Sequence, residues 1–319
     1  MSGFHWGACS RRAVIAGKRA LLSAALLIFA GASFALVQER YATPEAAVDA
    51  LVASAKSGDE KAALVVLGPG GGDIVSSGDK VSDDAVRARF VNSYDAKHEI
   101  KMQGDNKATL IIGDNNYPFP IPLTRKAGKW SFDTEAGRLE ILARRVGHNE
   151  LDTIETALAY ADAQDEYASK DRTGEGAGVY AQRFISEPGK KDGLYWPSAQ
   201  GEEESPLGEL FARASHEGYL SGAHAPYHGY YYKILTRQGP HATGGAVDYV
   251  VNGKMIGGYA LVAYPDEYRN SGVMTFIVNH RGEVLEKDLG PYTANIAERM
   301  TSFDPDPSWK KVEATEPPK

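Results

Sequence analysis

The stretch Ala246-Val247-Asp248-Tyr249-Val250-Val251-Asn252-Gly253-Lys254-Met255-Ile256 decides how this chain folds. β-Compatible residues flank Asn252-Gly253, the pair that best accepts the positive φ angles of a two-residue type I′ turn. The segment therefore predicts a β-hairpin, and with it antiparallel pairing. Working outward, residues 229–236 read as a strand before the hairpin, and 259–263, 273–279 and 283–287 continue the sheet after it. Upstream, Asn149 and Asp152 open a helix that places Leu151, Ile154, Leu158 and Ala161 on one face and runs on towards Tyr167. One long helix followed by an antiparallel sheet is an α+β arrangement, and it accounts for residues 148–312.

Between that helix and the sheet the chain turns glycine-rich. Asp171-Arg172-Thr173-Gly174-Glu175-Gly176 alternates oxygen-bearing side chains and then places a glycine, as a calcium loop does. The twelfth position, where an EF-hand requires Glu, holds Gln182. The stretch from Tyr195 to Leu207 is polar and without periodicity, which predicts a loop laid on the surface.

A second α+β unit is expected over residues 42–147. Thr43 and Pro44 make a helix start, hydroxyl cap and proline at the first helical position, followed by Val48, Leu51, Val52 and Ala55 on one face. Ser57-Gly58-Asp59 ends it and opens another helix through Leu67. Gly68-Pro69-Gly70-Gly71-Gly72 is a turn, since it lacks the order and the following lysine of a phosphate-binding loop. Ser82 is placed to cap a third helix carrying Phe90, Val91 and Tyr94. The pieces 98–102, 108–112, 119–123 and 129–132 then read as strands, with the proline-rich Pro118 to Pro122 run at a sheet edge. A helix from Thr134 closes this unit.

The first 35 positions set the compartment. Arg11, Arg12, Lys18 and Arg19 precede an almost wholly apolar run from Ala20 to Val37, and Ser33-Phe34-Ala35 supplies small residues of the kind a signal peptidase reads. This predicts a signal peptide over 1–35, cleaved after Ala35 or, as the alternative, after Ala32, with 36–41 as a linker and 313–319 as a disordered tail. Contact with a membrane is then expected only through an uncleaved signal segment. Ser10-Arg11-Arg12 partly matches a twin-arginine signal, which leaves the export route open. Four of the 35 basic residues lie in the segment, so its removal leaves 31 against 42 acidic residues, a net charge of −11. Such a balance repels phosphate backbones, so nucleic acid is not expected as a partner. The one cysteine, Cys9, precedes the apolar run. A body without thiols excludes disulfides, zinc–thiolate sites, a lipid-modified cysteine and cysteine nucleophiles.

The order helices, curved antiparallel sheet and a Gly-Lys-Trp-Ser-Phe-Asp strand at 128–133, with Thr-Pro-Glu-Ala-Ala-Val-Asp-Ala-Leu at 43–51, resembles the cone-shaped fold of the nuclear-transport-factor-2-like superfamily. That resemblance implies an interior pocket and, in members that are enzymes, an Asp and His pair, for which Asp95 and His98 are the candidates. In the second unit Ala263-Tyr264-Pro265, Tyr268, Ser271-Gly272, Thr275-Phe276-Ile277-Val278-Asn279, Gly282 and Val284 resemble the sheet of pilin-like and pseudopilin-like proteins. The latter often bind calcium through a carboxylate-rich C-terminal loop, which would make Asp288, Asp304 and Asp306 its ligands. No pilin processing site precedes a continuous helix here, so assembly by the pilin route is not implied. Over 41–312 the chain is similar to a bacterial exported family known only as domain-of-unknown-function family 2950, through Tyr180-Ala181-Gln182-Arg183-Phe184, Gly193-Leu194-Tyr195-Trp196-Pro197, Pro226-Tyr227-His228-Gly229-Tyr230-Tyr231-Tyr232 and Asp248-Tyr249-Val250-Val251-Asn252-Gly253.

Other chemistry is scattered. His216, His224 and His228 lie within thirteen positions and would make a metal site if the fold brought them together. Tyr227, Tyr230, Tyr231 and Tyr232 could stack on a sugar or a peptide. No G-x-S-x-G elbow, H-E-x-x-H helix, P-loop or C-x-x-C occurs. The expectation is an exported, non-catalytic binding or assembly protein of the periplasm or cell envelope, whose partner is an envelope protein or other extracytoplasmic component. The alternative is a periplasmic hydrolase or small-ligand binder that uses the N-terminal cone.

Overall fold

The computed structural model describes residues 37–76, 80–174, 176–199, 201–217 and 226–312. The expected signal segment with both expected cleavage points, His224 and the tail from 313 lie outside the described residues. Among the described residues the fold is α+β, with seven α-helices and mainly antiparallel sheets around two hydrophobic cores. No helix among them is long and apolar enough to cross a membrane.

The first core begins as the sequence dictates. Thr43 accepts a hydrogen bond from the Ala46 N–H at 3.2 Å and starts α1 (Pro44–Ser57), and Asp59 does the same for Ala62 at 3.0 Å to start α2 (Glu60–Leu67). A short α3 (Gly72–Val75) follows the glycine turn, and α4 (Lys80–Ala96) is helical two residues before Ser82. The first sheet consists of β1 (His98–Met102), β2 (Lys107–Ile112), β3 (Tyr117–Pro118), β4 (Leu123–Lys126) and β5 (Lys129–Phe132). Its order is β1-β2-β4-β5, with β3 also paired to β2. Val48, Leu51, Val66, Leu110, Leu123 and Phe132 fill the space between this sheet and the helices. The strand expected at 119–123 is interrupted instead: Pro120 and Pro122 have no N–H to pair, and Ile121 turns inward, 1% exposed. Residues 38–41, expected as a linker, are bound to this unit. The Gln38 amide donates to the Val66, Leu67 and Phe132 carbonyls, and Tyr41 exchanges two 2.8 Å backbone bonds with Trp130.

Where the sequence suggested one helix ending near Gly147 and another opening at Asn149, the chain forms a single helix, α5 (Thr134–Ala168), 35 residues long and capped by Asp133. Side chains at the expected break are instead held from outside the helix. Asn149 Nδ2 donates to the Ser271 carbonyl at 2.8 Å, and Glu150 Oε1 accepts from the Val273 and Met274 N–H groups at 2.8 and 3.0 Å. The first turns of α5 belong to the first core, where Gly137 lets the helix lie directly on Ile121. Its later turns bring Tyr160, Ala161, Gln164 and Tyr167 into the second core.

The second core is built on α5, α6 (Gly208–His216) and a five-stranded antiparallel sheet. Along the chain the strands are β6 (Tyr230–Leu235), β7 (Arg237–Gln238), β8 (Val247–Asp248), β9 (Val250–Val251), β10 (Lys254–Met255), β11 (Ala260–Pro265), β12 (Thr275–Asn279) and β13 (Leu285–Lys287); α7 (Thr293–Arg299), β14 (Ser302–Phe303) and β15 (Lys310–Lys311) complete the unit. The large sheet has the order β15-β13-β12-β11-β6. Every residue of β11 and β12 is buried, so both of their faces are covered. The quoted hairpin is β9–β10, with Asn252 and Gly253 at φ 51° and 81° as a type I′ turn requires. The loop before α6 is irregular, as expected, but it is pinned to the core through Leu194, Trp196 and Leu207, which are at most 5% exposed.

Candidate functional site

Two places in the second unit gather polar side chains. The first is built by a tight turn. Tyr227 and Tyr230 exchange backbone hydrogen bonds of 2.9 and 3.1 Å around His228 and Gly229, which both have positive φ, 48° and 71°. Only glycine fits the second position, because a Cβ there would lie 2.8 Å from Asn149 Nδ2 and from Ser271 Cβ. The turn aims the His228 imidazole between two carboxylates. Nδ1 is 3.1 Å from Asp152 Oδ2 on α5, and Nε2 is 3.3 Å from Glu217 Oε2 just past α6. His148 Nε2 approaches the same Asp152 oxygen at 3.3 Å, yet that buried oxygen has no aligned hydrogen bond among the described residues. Tyr227 donates to Glu217 Oε2 at 3.4 Å and accepts from Arg213 Nε at 3.3 Å.

The four tyrosines do not form an exposed platform. Tyr230 is fully buried and donates to the Met274 carbonyl at 3.0 Å, and burial raises its pKa. Tyr232 points its hydroxyl at Thr153 Oγ1 on α5, 3.4 Å away. Tyr231 is half-buried beside Tyr264, and Tyr227 belongs to the histidine cluster. His216 is exposed at the end of α6 and His224 lies outside the described residues, so of the three histidines His228 alone is seen in the cluster.

The other sequence candidates have separate partners. Asp95 pairs with Lys56 at 2.7 Å, whereas the His98 ring stacks on Tyr94 at 3.9 Å between centroids. Asp288 accepts from the Tyr268 hydroxyl and the Gly290 N–H, Asp304 holds the His241 ring at 3.0 Å, and Asp306 takes Ser308 and Lys287. Among the described residues no group of three or more His, Cys, Asp or Glu is arranged to hold a metal ion.

The second place is a groove of about 870 Å³ at the C-terminal end of α5, open to solvent, lined by Arg172, Tyr180, Gln182, Arg183, Lys190 and Lys191 among others. Its frame is rigid. Arg172 has a side chain only 2% exposed, lies over the Tyr167 and Trp196 rings and donates to the last carbonyls of α5, Glu166 and Tyr167. Cations near a helix C-terminus offset the negative end of its dipole. The Arg172 Nε is buried and has no hydrogen-bond partner among the described residues. Gln182 ties the wall to the β9–β10 hairpin through the Gly253 carbonyl at 2.7 Å. Behind the wall stand carboxylates. Lys190 and Arg183 hold Glu187 down to about 2, and Lys191 and Lys170 do the same for Glu203. Neither place was legible as a unit, because Asp152 and His228 are 76 positions apart and the groove joins residues from 167 to 253.

No curated protein and no solved structure matches the chain. Residues 38–312 match the model of one family, Protein of unknown function (DUF2950), and the chain belongs to that family.

Proposed function

We propose that this is an exported protein of the periplasm or cell envelope that binds a partner without transforming it, and that its groove receives an acidic segment of an envelope partner protein. The observation that carries the reading is the groove wall. It presents Arg183, Lys190 and Lys191, with Arg172 buried behind them, and Asp192 is the one carboxylate among its described lining residues, on a body whose net charge is −11 after loss of the first 35 residues. Lys190 and Arg183 are paired with Glu187 in the open, where an ion pair contributes little and a ligand carboxylate can take its place at small loss. The polar, open lining suits a solvated chain better than an apolar small molecule. Export rests on the basic and apolar N-terminal segment. The likeness of the two units to a cone and to a pilin-type sheet rests on the order of their elements and lends an assembly role some weight.

The test is photo-crosslinking in intact cells from a reactive residue placed at Gln182, with partners identified by mass spectrometry. The expected result is capture of an extracytoplasmic protein through an acidic segment, lost in the double variant Arg183→Glu, Lys190→Glu. Undiminished capture by the double variant, or recovery of cytoplasmic proteins alone, overturns the reading.

A further inference from the structure

Histidine is the side chain whose ordinary titration falls between about pH 5 and about pH 8. An imidazolium carries an N–H on both ring nitrogens; the neutral ring carries one and turns a lone pair outward from the other. His228 has a carboxylate oxygen at each nitrogen, 3.1 and 3.3 Å away. Neither contact is an aligned hydrogen bond, so what joins the ring to the carboxylates is charge, and only the cation attracts both. In the neutral ring one nitrogen lone pair faces an anionic oxygen at hydrogen-bond distance. Solvent relieves this poorly, because the His228 and Asp152 side chains are 13% and 16% exposed.

The two carboxylates sit on different elements. Asp152 belongs to α5, whose Tyr160 and Gln164 are core residues, and Glu217 follows the last turn of α6, which buries no residue fully. The stack of Phe211 on Tyr195, at 4.1 Å, anchors the middle of α6, well before that last turn. Each carboxylate also has company of its own. Asp152 has the exposed His148 on the same helix, and Glu217 has Tyr227 and, at 4.0 Å, Arg213, which also feels Glu155 of α5. Tyr232 of β6 lies beside the cluster with its hydroxyl on Thr153. When His228 loses its charge the network separates along this division, Asp152 with His148 on one side and Glu217 with Arg213 and Tyr227 on the other.

We infer that His228 is a proton-operated latch that fastens the C-terminal turn of α6 to α5 when it is protonated and releases that turn when it is neutral. The direction follows from the ring's charge: the turn is fastened while the ring is a cation and both carboxylates are ionised, and it is released as pH rises and the ring gives up a proton. An exported protein meets the pH of its surroundings directly, so the latch reports it.

Native-state hydrogen exchange on the full chain, corrected for the intrinsic pH dependence of exchange, reads the latch at residues 212–217. Protection there is expected to be about tenfold higher at about pH 5.5 than at about pH 8, with a midpoint that coincides with the His228 imidazole signals in NMR. His228→Asn, chosen because asparagine tolerates positive φ, should give low protection at both pH values while the exchange of β11 and β12 stays as in the parent. His148→Gln should keep the pH response. Equal protection at both pH values, persistence of the response in His228→Asn, or its loss in His148→Gln overturns the inference.

Discussion

Replacing Gly147 by alanine tests the continuity of α5 more sharply than any other single change. Gly147 lies in the interior of the helix, and nothing stands within 4 Å of where its Cβ would be. Alanine is favoured over glycine in such a position by about 0.8–1 kcal/mol, chiefly because it narrows the unfolded ensemble. For a chain of this size that is a rise in Tm of roughly 1–2 °C. A chain that broke between 147 and 149 would use the glycine as a cap, and alanine would then destabilise it. Gly137→Ala supplies the contrast on the same helix. Its Cβ would fall 2.7 Å from Ile121 Cγ1, so overpacking of about 1–3 kcal/mol outweighs the helical gain. Urea unfolding followed by far-ultraviolet circular dichroism should therefore move the midpoint up for Gly147→Ala and down for Gly137→Ala. A loss in the first, or equal gains in both, refutes the reasoning.

Gln164 is fully buried, donates to the Ala181 carbonyl at 2.8 Å and the Tyr160 hydroxyl at 3.0 Å, and accepts the Ala181 N–H at 2.9 Å. Gln164→Ala strands these groups and opens a cavity, so equilibrium denaturation should show a loss of about 3 kcal/mol; a loss below about 1 kcal/mol would mean that the pocket collapses or fills with water. Acid should weaken the fold in a defined window. Glu187, Glu203 and Asp306 are held down to about 2 by Lys190, by Lys191 and by the Ser308 hydroxyl respectively, so their contribution is present above their ordinary values near 4 and is lost as pH falls to about 2. The urea midpoint should drop across that range, and Glu203→Gln should drop less; a flat wild-type profile would contradict this.

What could be read from the sequence was local. Thr43-Pro44 and Asn252-Gly253 each contain within a few residues the whole physical cause of a helix start and a hairpin turn, and both elements stand where they were expected. The α+β class followed from them. The continuity of α5 was hidden, because Gly147 and Asn149 have the composition of a break, and the loop at 270–274 that overrides it lies more than 120 positions away. The same distance hid the histidine cluster. His228 and Tyr227 stand out as residue types in the sequence, but Asp152 reads as a helix opener and nothing marks Glu217. Tyr230 and Tyr232 alternate with Tyr231 along β6, and only burial distinguishes packing from display.

The 35 residues of α5 extend about 52 Å at the usual rise per residue, with one core on each end. Such a rod is a shaft. Rotation at one end cannot be absorbed by a flexible joint, because twisting it means breaking the hydrogen bonds that run along its axis. A partner seized at the groove would pull on the far sheet through that shaft, and the first unit would feel torque and tension from a ligand it never touches.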